Sequence, residues 1–156
     1  MNLCLNASGP EAEEGRCPIP PKVLEALERV LGEELELLRP ETGEAEVSVS
    51  FLDTMEMREV NREHRGIDKA TDVLAFPLWE GDGPSFGLLP LGDVLICLEE
   101  AEREHPLGRV GALCLVLAHG FLHLLGWDHD TPEGEQAMWE RQDVLKSRLL
   151  AAWETR

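Results

Sequence analysis

Apolar residues recur along the chain with two different periods, which divide it into helices and strands. Between Lys22 and Leu38 they fall three or four residues apart, the spacing of an amphipathic helix. Between Ala45 and Leu52 they alternate with polar residues, which is typical of a strand with one buried face. By the same reasoning, further strands are predicted at 1–5, 72–78 and 93–98, and further helices at 55–64, 107–125 and 131–152.

The order of these elements predicts the fold class. Strands and helices interleave, which favours an α/β or α+β fold. The segment DVLICL, Asp93 to Leu98, is almost continuously apolar and is expected to lie centrally in the sheet. We therefore expect a small mixed four-stranded sheet covered by helices, in a single domain over residues 1–156. Segments 6–21 and 81–90, rich in Gly and Pro, are expected to be loops.

The charge of the chain is strongly acidic, with 14 Lys and Arg against 31 Asp and Glu and a net charge of −17. Such a surface repels nucleic acids and anionic membranes at long range. Binding of RNA or DNA would therefore depend on a local basic patch.

The cysteine spacing, the N-terminal sequence and the length of the apolar segments together indicate the cellular compartment of the protein. No two cysteines have Cys-x-x-Cys spacing, so a zinc ribbon is excluded and buried free thiols in a reducing cytosol are expected. The N-terminus lacks the basic and apolar regions of a secretory signal, and the apolar run at 110–125 is shorter than the ~20 residues of a membrane helix. We expect a cytoplasmic protein. The cysteines are Cys4, Cys17, Cys97 and Cys114.

Three of the five histidines lie in one short segment, AHGFLHLLGWDH. His119 and His123 are four residues apart and point the same way from adjacent helical turns. Gly126 can end the helix and let the chain turn back, so that His129 supplies a third nitrogen at the ~2.0–2.1 Å that zinc prefers. The segment therefore predicts a zinc site at the end of a buried helix.

Three histidine ligands leave one tetrahedral position for water, which is the arrangement of a catalytic zinc ion. A bound metal there would lower the pKa of its water to ~7 and polarise a phosphoryl or carbonyl oxygen. The alternative is that these are hydrogen-bonded core histidines. Burying so many imidazoles in an apolar helix without a partner is costly, which favours the metal site.

Gly120 separates this segment from that of the zinc proteases. Their motif has a glutamate after the first histidine, which acts as the general base. Glycine at this position argues against peptide hydrolysis by that route.

The second candidate segment, VNREHRGIDKATDVLAFP, belongs to the main basic cluster of this acidic chain. Arg58, Arg62 and Arg65 recur at helical spacing and would lie on one face, where guanidinium groups could bind phosphate. Because glutamates interleave with them, a merely solvated face is the alternative. Thr71 or Asp72 could cap the backbone where this segment enters its strand.

Together the two segments resemble the YbeY endoribonucleases, a family of bacterial rRNA maturation factors. HGFLHLLGWDH is similar to that family's histidine signature, in which glycine also replaces the protease glutamate. VNREHRGIDKATDVLAFP resembles its second conserved block, and LGDV at 91–94 its third. The chain departs from the family's usual residues at Trp127 for Tyr, His64 for an aromatic residue and Ala75 for Ser.

The resemblance implies a zinc-dependent endonuclease for single-stranded RNA, active in 16S rRNA 3′-end maturation and ribosome quality control. It implies zinc ligands at His119, His123 and His129 and an essential arginine at Arg65. It also implies association with the small ribosomal subunit and its assembly factors, including a ribosomal protein and a GTPase. No membrane or DNA partner is expected, and Arg58 and Arg62 are the candidate substrate-binding residues.

Two other functions compete with this one. The first is a metal-dependent protease-like hydrolase on the same histidine scaffold, which the glycine at position 120 disfavours. The second is a ribosome-assembly adaptor in which zinc only stabilises the fold. The sequence shows no obvious general base, and Asp128 is a weak candidate.

Overall fold

The computed structural model describes residues 3–8, 18–40, 43–78, 88–127 and 130–155. They form a mixed α/β structure with four strands and five helices in these ranges, which confirms the predicted fold class. The elements are β1 (Leu3–Ser8), α1 (Pro21–Leu38), β2 (Glu44–Phe51), α2 (Thr54–Arg65), β3 (Val73–Pro77), β4 (Leu88–Ile96), α3 (Leu98–Glu104), α4 (Gly108–Leu124) and α5 (Pro132–Thr155).

The four strands form one sheet in the order β1-β2-β4-β3. The pairs β1–β2 and β2–β4 are parallel, whereas β3 pairs with β4 antiparallel, with Leu74 opposite Leu95. β4 therefore has a neighbour on each side, as its apolar sequence predicted, and β3 forms an edge of the sheet.

The two faces of the sheet bury cores of very different size. Alternate residues of an edge strand point to opposite faces. In β3, Val73 and Ala75 pack against the large core shared by α1, α4 and α5, whereas Leu74 belongs to a small cluster with Met57 of α2 and Cys97. α4 and α2 therefore lie on opposite faces of the sheet, with the edge strand β3 between them.

Three sequence predictions need correction. β1 begins at Leu3 and continues to Ser8, so it extends into the segment expected to be a loop, because its parallel register with β2 runs on to Ser8 and Ser50. The short helix α3 was not predicted, and Ala101 anchors it in the core. The free cysteines are not all buried either, since Cys4 is exposed.

Within the described part of the chain, no helix alone is long and apolar enough to cross a membrane. Only α3 and α4 taken together reach that length and composition, and they are bent by 101° at their junction.

Candidate functional site

Beyond its first turn, the accessible side chains of α4 lie along one side of the helix. Between 111 and 125 every side chain is buried except three half-buried ones, which fall four residues apart at Leu115, His119 and His123. The rest of the helix packs on β3, β4 and α5. The sequence therefore places two imidazoles at the only part of this stretch that a ligand can reach.

The two imidazoles adjoin each other. The ring centroids of His119 and His123 are 4.5 Å apart and the rings meet edge to face. Nδ1 of His119 lies 2.7 Å from Oε1 of Gln142 on α5. With Oε1 as acceptor, Nδ1 carries the proton and Nε2 has the lone pair, which is the tautomer that suits a metal ligand.

The end of α4 has the geometry expected from its glycine. Gly126 has φ of 96°, its N–H donates to the carbonyl of His123, and Trp127 N–H donates to the carbonyl of Leu122. This pair of bonds is a Schellman motif, which ends the helix and redirects the chain. The predicted third ligand, His129, and the weak base candidate Asp128 lie outside the described residues.

Gly120 faces the sheet. A Cβ atom added there would lie 2.7 Å from Cγ1 of Val94 and 3.5 Å from Cγ2 of Val73. A side chain at this position would therefore collide with β4, and a protease-type glutamate could not be accommodated without displacing the strand. The glycine that was predicted to remove a catalytic base is also required for helix–sheet packing.

Arg65 approaches the histidines from the other face of the sheet. It is the last residue of α2, which Gly66 ends with a left-handed φ of 72°. Arg65 lines two adjacent cavities together with His119, one of about 310 Å³ running along β3 and one of about 290 Å³ reaching α5. The arginine and the histidine thus converge beside the edge strand. The catalytic role expected of Arg65 stays a prediction.

The other two arginines are placed differently. Arg58 makes a bidentate ion pair with Asp68, with bonds of 2.8 and 3.0 Å, and Arg62 pairs with Glu59. Hydrogen bonding and charge from Arg58 lower the pKa of Asp68, and partners of this kind hold both guanidinium groups at the surface. Neither arginine lines the two cavities that Arg65 shares with His119.

A second polar group lies in the cavity that reaches α5. Nε2 of His105 is 2.8 Å from Oδ2 of Asp72, and both residues line the cavity with Arg65 and His119. Partial burial and the nearby Asp72 carboxylate raise the pKa of Glu104. An imidazole held by a carboxylate can exchange a proton, and the ligand atoms of Asp72, Glu104 and His105 also lie within 4.8 Å of one another, close enough to hold a metal ion.

Asp72 also has the backbone role that the sequence suggested. Its Oδ1 accepts from Val73 N–H at 2.8 Å, where the chain enters β3. Its backbone carbonyl accepts from Cys97 N–H at 2.9 Å. Asp72 therefore fixes the start of the edge strand and presents its second oxygen to His105.

Sequence reasoning missed three residues of this site. His105 lies apart from the histidine segment, and only its being a further histidine could have drawn attention to it. Gln142 and Trp139 on α5 line the same cavity. Trp139 falls outside the apolar face of α5 and so could have been noticed as exposed, but nothing in the sequence pairs Gln142 with His119.

Comparisons with known proteins find relatives over most of the chain. The sequence profile of the family described as "Endoribonuclease YbeY" matches residues 11–150. A protein of that name from Clostridioides difficile is 41% identical over 111 residues, 67% of this chain and 71% of its own. Another from Moorella thermoacetica is 40% identical over 139 residues, 82% of this chain and 87% of its own.

A solved structure is also similar to this fold. The solution structure of a Thermotoga maritima protein matches it with a TM-score of 0.60 and 29% identity, covering 97% of this chain and 92% of that one. The histidine helix, the arginine at the end of α2 and the extent of the sequence match lead to one assignment. The chain belongs to the YbeY endoribonuclease family.

Proposed function

We propose that this protein is a zinc-dependent endoribonuclease that hydrolyses phosphodiester bonds in single-stranded RNA. One observation carries the proposal: Arg65 from α2 and His119 from α4, on opposite faces of the sheet, line the same two cavities. An arginine beside a set of imidazoles combines a phosphate-binding fork with metal ligands. The name of the family, endoribonuclease, supports RNA as the substrate.

The described residues fit a zinc ion. His119 and His123 present their rings side by side from adjacent turns, and Gln142 fixes the tautomer of His119. We propose one ion held by these two residues with His129 and a water molecule. When bound, zinc supplies a Lewis acid and lowers the pKa of its water.

Arg65 is proposed as the catalytic residue of the protein itself. Its fixed charge would hold a non-bridging phosphate oxygen and offset the negative charge that develops there as the new P–O bond forms and the old one breaks. The His105–Asp72 pair lies in the same cavity and could exchange the proton of the attacking or leaving oxygen. The His105–Asp72 pair is therefore the proposed general base, for which the sequence offered no clear candidate.

The RNA must approach an acidic protein with a net charge of −17. We propose that zinc and Arg65 make a local cationic site, and that Arg58 and Arg62 bind phosphate only after exchanging their carboxylate partners for it. The substrate proposed is the 16S rRNA precursor at its 3′ end, in ribosome quality control as well as maturation. The small subunit and its assembly factors are the proposed partners, in the cytoplasm.

The test is cleavage of single-stranded RNA by the wild type, Arg65→Ala and Arg62→Ala at equal zinc content, with and without EDTA. We expect EDTA to abolish wild-type cleavage and Arg65→Ala to slow it by about 10²–10³-fold, the usual effect of removing one charge-stabilising donor. Arg62→Ala, on the same helix but outside both cavities, should weaken RNA binding a few-fold and so raise KM while kcat stays unchanged.

Other outcomes would support the competing functions. Equal cleavage by wild type and Arg65→Ala would contradict the catalytic assignment. Cleavage of casein with intact RNA would favour the protease-like hydrolase. Unfolding of His123→Ala together with unchanged RNA processing by Arg65→Ala in cells would favour the adaptor.

A further inference from the structure

Trp139 is exposed beside the site in a chain that contains few aromatic residues. The sequence has four Trp, four Phe and no Tyr. Among the described tryptophans, Trp127 and Trp153 are partly buried and pack against the large core, whereas Trp139 is 54% exposed. An indole exposed to this extent keeps an open aromatic face that a ligand can cover.

The position of Trp139 ties it to the histidine site. It lines the cavity of about 290 Å³ together with Arg65, His105 and His119. On α5 it precedes Gln142 by three residues, and residues three apart on a helix are neighbours on one face. Because Gln142 Oε1 contacts His119 directly, the indole lies about one helical turn from the group that orients the proposed metal ligand.

The surrounding charges select the kind of ligand. Glu135 and Asp143 lie four residues before and after Trp139, on the same side of α5. Nζ of Lys146 is 3.5 Å from Oδ1 of Asp143 and offsets its charge, so it is chiefly Glu135 that disfavours a phosphate there. An uncharged planar group that stacks on the indole meets no such penalty, and nucleobases stack on aromatic side chains with little dependence on sequence.

From these observations we infer that Trp139 is a stacking platform for an unpaired nucleobase next to the phosphate held at Arg65. The inference rests on the proposed function and deepens it. Stacking requires a base with an accessible face, which single strands offer and duplexes do not. Trp139 would thus contribute to the preference for single strands, and it would supply affinity that an acidic protein does not gain from long-range attraction.

The experiment measures affinity separately from cleavage. Binding of a short fluorescent single-stranded RNA to the otherwise wild-type protein and to its variants is followed by anisotropy in the presence of EDTA, which keeps the strand intact and leaves Arg65 in place. Trp139→Ala should weaken binding roughly tenfold, within the range known for loss of one stacked base. Trp139→Phe should retain much of the affinity. The control is Val144→Ala, which removes another exposed apolar side chain of α5, 46% exposed and outside the cavity, and should change nothing.

A second arm uses the same RNA with a single abasic nucleotide placed in turn at each position around the cleaved bond. At one position, removing the base should weaken binding to wild type as much as Trp139→Ala weakens binding of the intact strand. Binding of that abasic strand to Trp139→Ala should then show no further loss. Equal binding of intact RNA by Trp139→Ala and its parent would overturn the inference, as would additive losses at every abasic position.

The two proposals fail in different ways. If the otherwise wild-type protein neither binds nor cuts single-stranded RNA, the proposed function itself is wrong. If it cuts RNA and Trp139→Ala cuts single strands with unchanged KM and kcat, only the stacking platform is wrong. We expect Trp139→Ala to raise KM for single strands and to reduce their advantage over duplex RNA.

Discussion

α4 and α2 both end at a left-handed glycine and both carry a site residue in the last turn, but they are held in place differently. Eleven of the 17 residues of α4 are buried, so the core positions its histidines. α2 buries only Met57 and Asn61 along its 12 residues and depends on its ends. At its start Asp53 and Glu56 form a reciprocal capping box.

Because of this difference, the histidines on α4 and the arginine on α2 should differ in how easily they move. The histidine side cannot shift without disturbing helix–sheet packing, whereas the arginine side is an exposed helix that can move or fray at modest cost. The histidines proposed as metal ligands should therefore stay in place under conditions that already displace Arg65. The predictions below test this contrast, beginning with the largest effect.

Gly120→Glu, on α4, should destabilise the protein more than any other change considered below. The added side chain would collide with Val94 and bury a carboxylate without a partner, lowering the free energy of unfolding by about 3–5 kcal/mol. Urea denaturation measures this loss, and no peptidase activity should appear although the protease motif is restored. The control on α2 is Gly66→Ala, which meets open space but has φ of 72° and should cost only about 1–2 kcal/mol. If Gly120→Glu left the urea midpoint unchanged, position 120 would not be closely packed against Val94.

Gln142→Leu should weaken zinc binding without unfolding the protein. Without the acceptor at Nδ1, the proton of His119 is no longer held on that nitrogen and Nε2 is less often free to bind a metal ion. Changes of this kind lower metal affinity by about 10–100-fold. Competition with a chromophoric zinc chelator measures the affinity. Gln136→Leu, an exposed residue of the same helix bonded to Glu140, is the control. Equal affinities of the two variants would show that Gln142 does not orient a ligand.

Asp53→Ala should affect the α2 side alone. Removing the cap costs about 1 kcal/mol, and fraying of α2 should lower RNA cleavage at rising temperature before zinc is released. Thr131→Ala removes a cap at the start of α5, where the hydroxyl accepts from Gly134 N–H at 3.0 Å, and serves as the matched control. If both variants lose cleavage at the same temperature, α2 is no more labile than the rest of the fold.

Thiol labelling should reveal the same contrast without altering either helix. Burial raises the pKa of Cys114, within α4, to about 12, and burial also raises the pKa of Cys97, which packs against Met57 of α2. With Cys4 and Cys17 replaced by Ser, both thiols react only after local opening. Mass spectrometry should find Cys97 alkylated before Cys114, and the reverse order would contradict the assigned stabilities.

Much of this site could be read from the sequence because its parts depend on local geometry. Helical spacing alone brings His119 and His123 together, and one glycine is enough to end α4. The arginine segment was harder, since three arginines at helical spacing look equivalent. The family resemblance singled out Arg65, and the packing supplies a physical reason, because Arg65 lies at the sheet edge whereas Arg58 and Arg62 form surface ion pairs.

By itself the sequence determined the interleaved elements, the mixed sheet with β4 inside, and the histidine pair at the accessible end of a buried helix. These follow from periodicity and from the steric preferences of single residues, which act over a few positions. The tertiary structure decided that α2 and α4 meet across an edge strand, that Gly120 packs on Val94, and that His105, Trp139 and Gln142 join the site. Those contacts link residues far apart in the chain, and only the packed sheet and helices bring them within reach of one another.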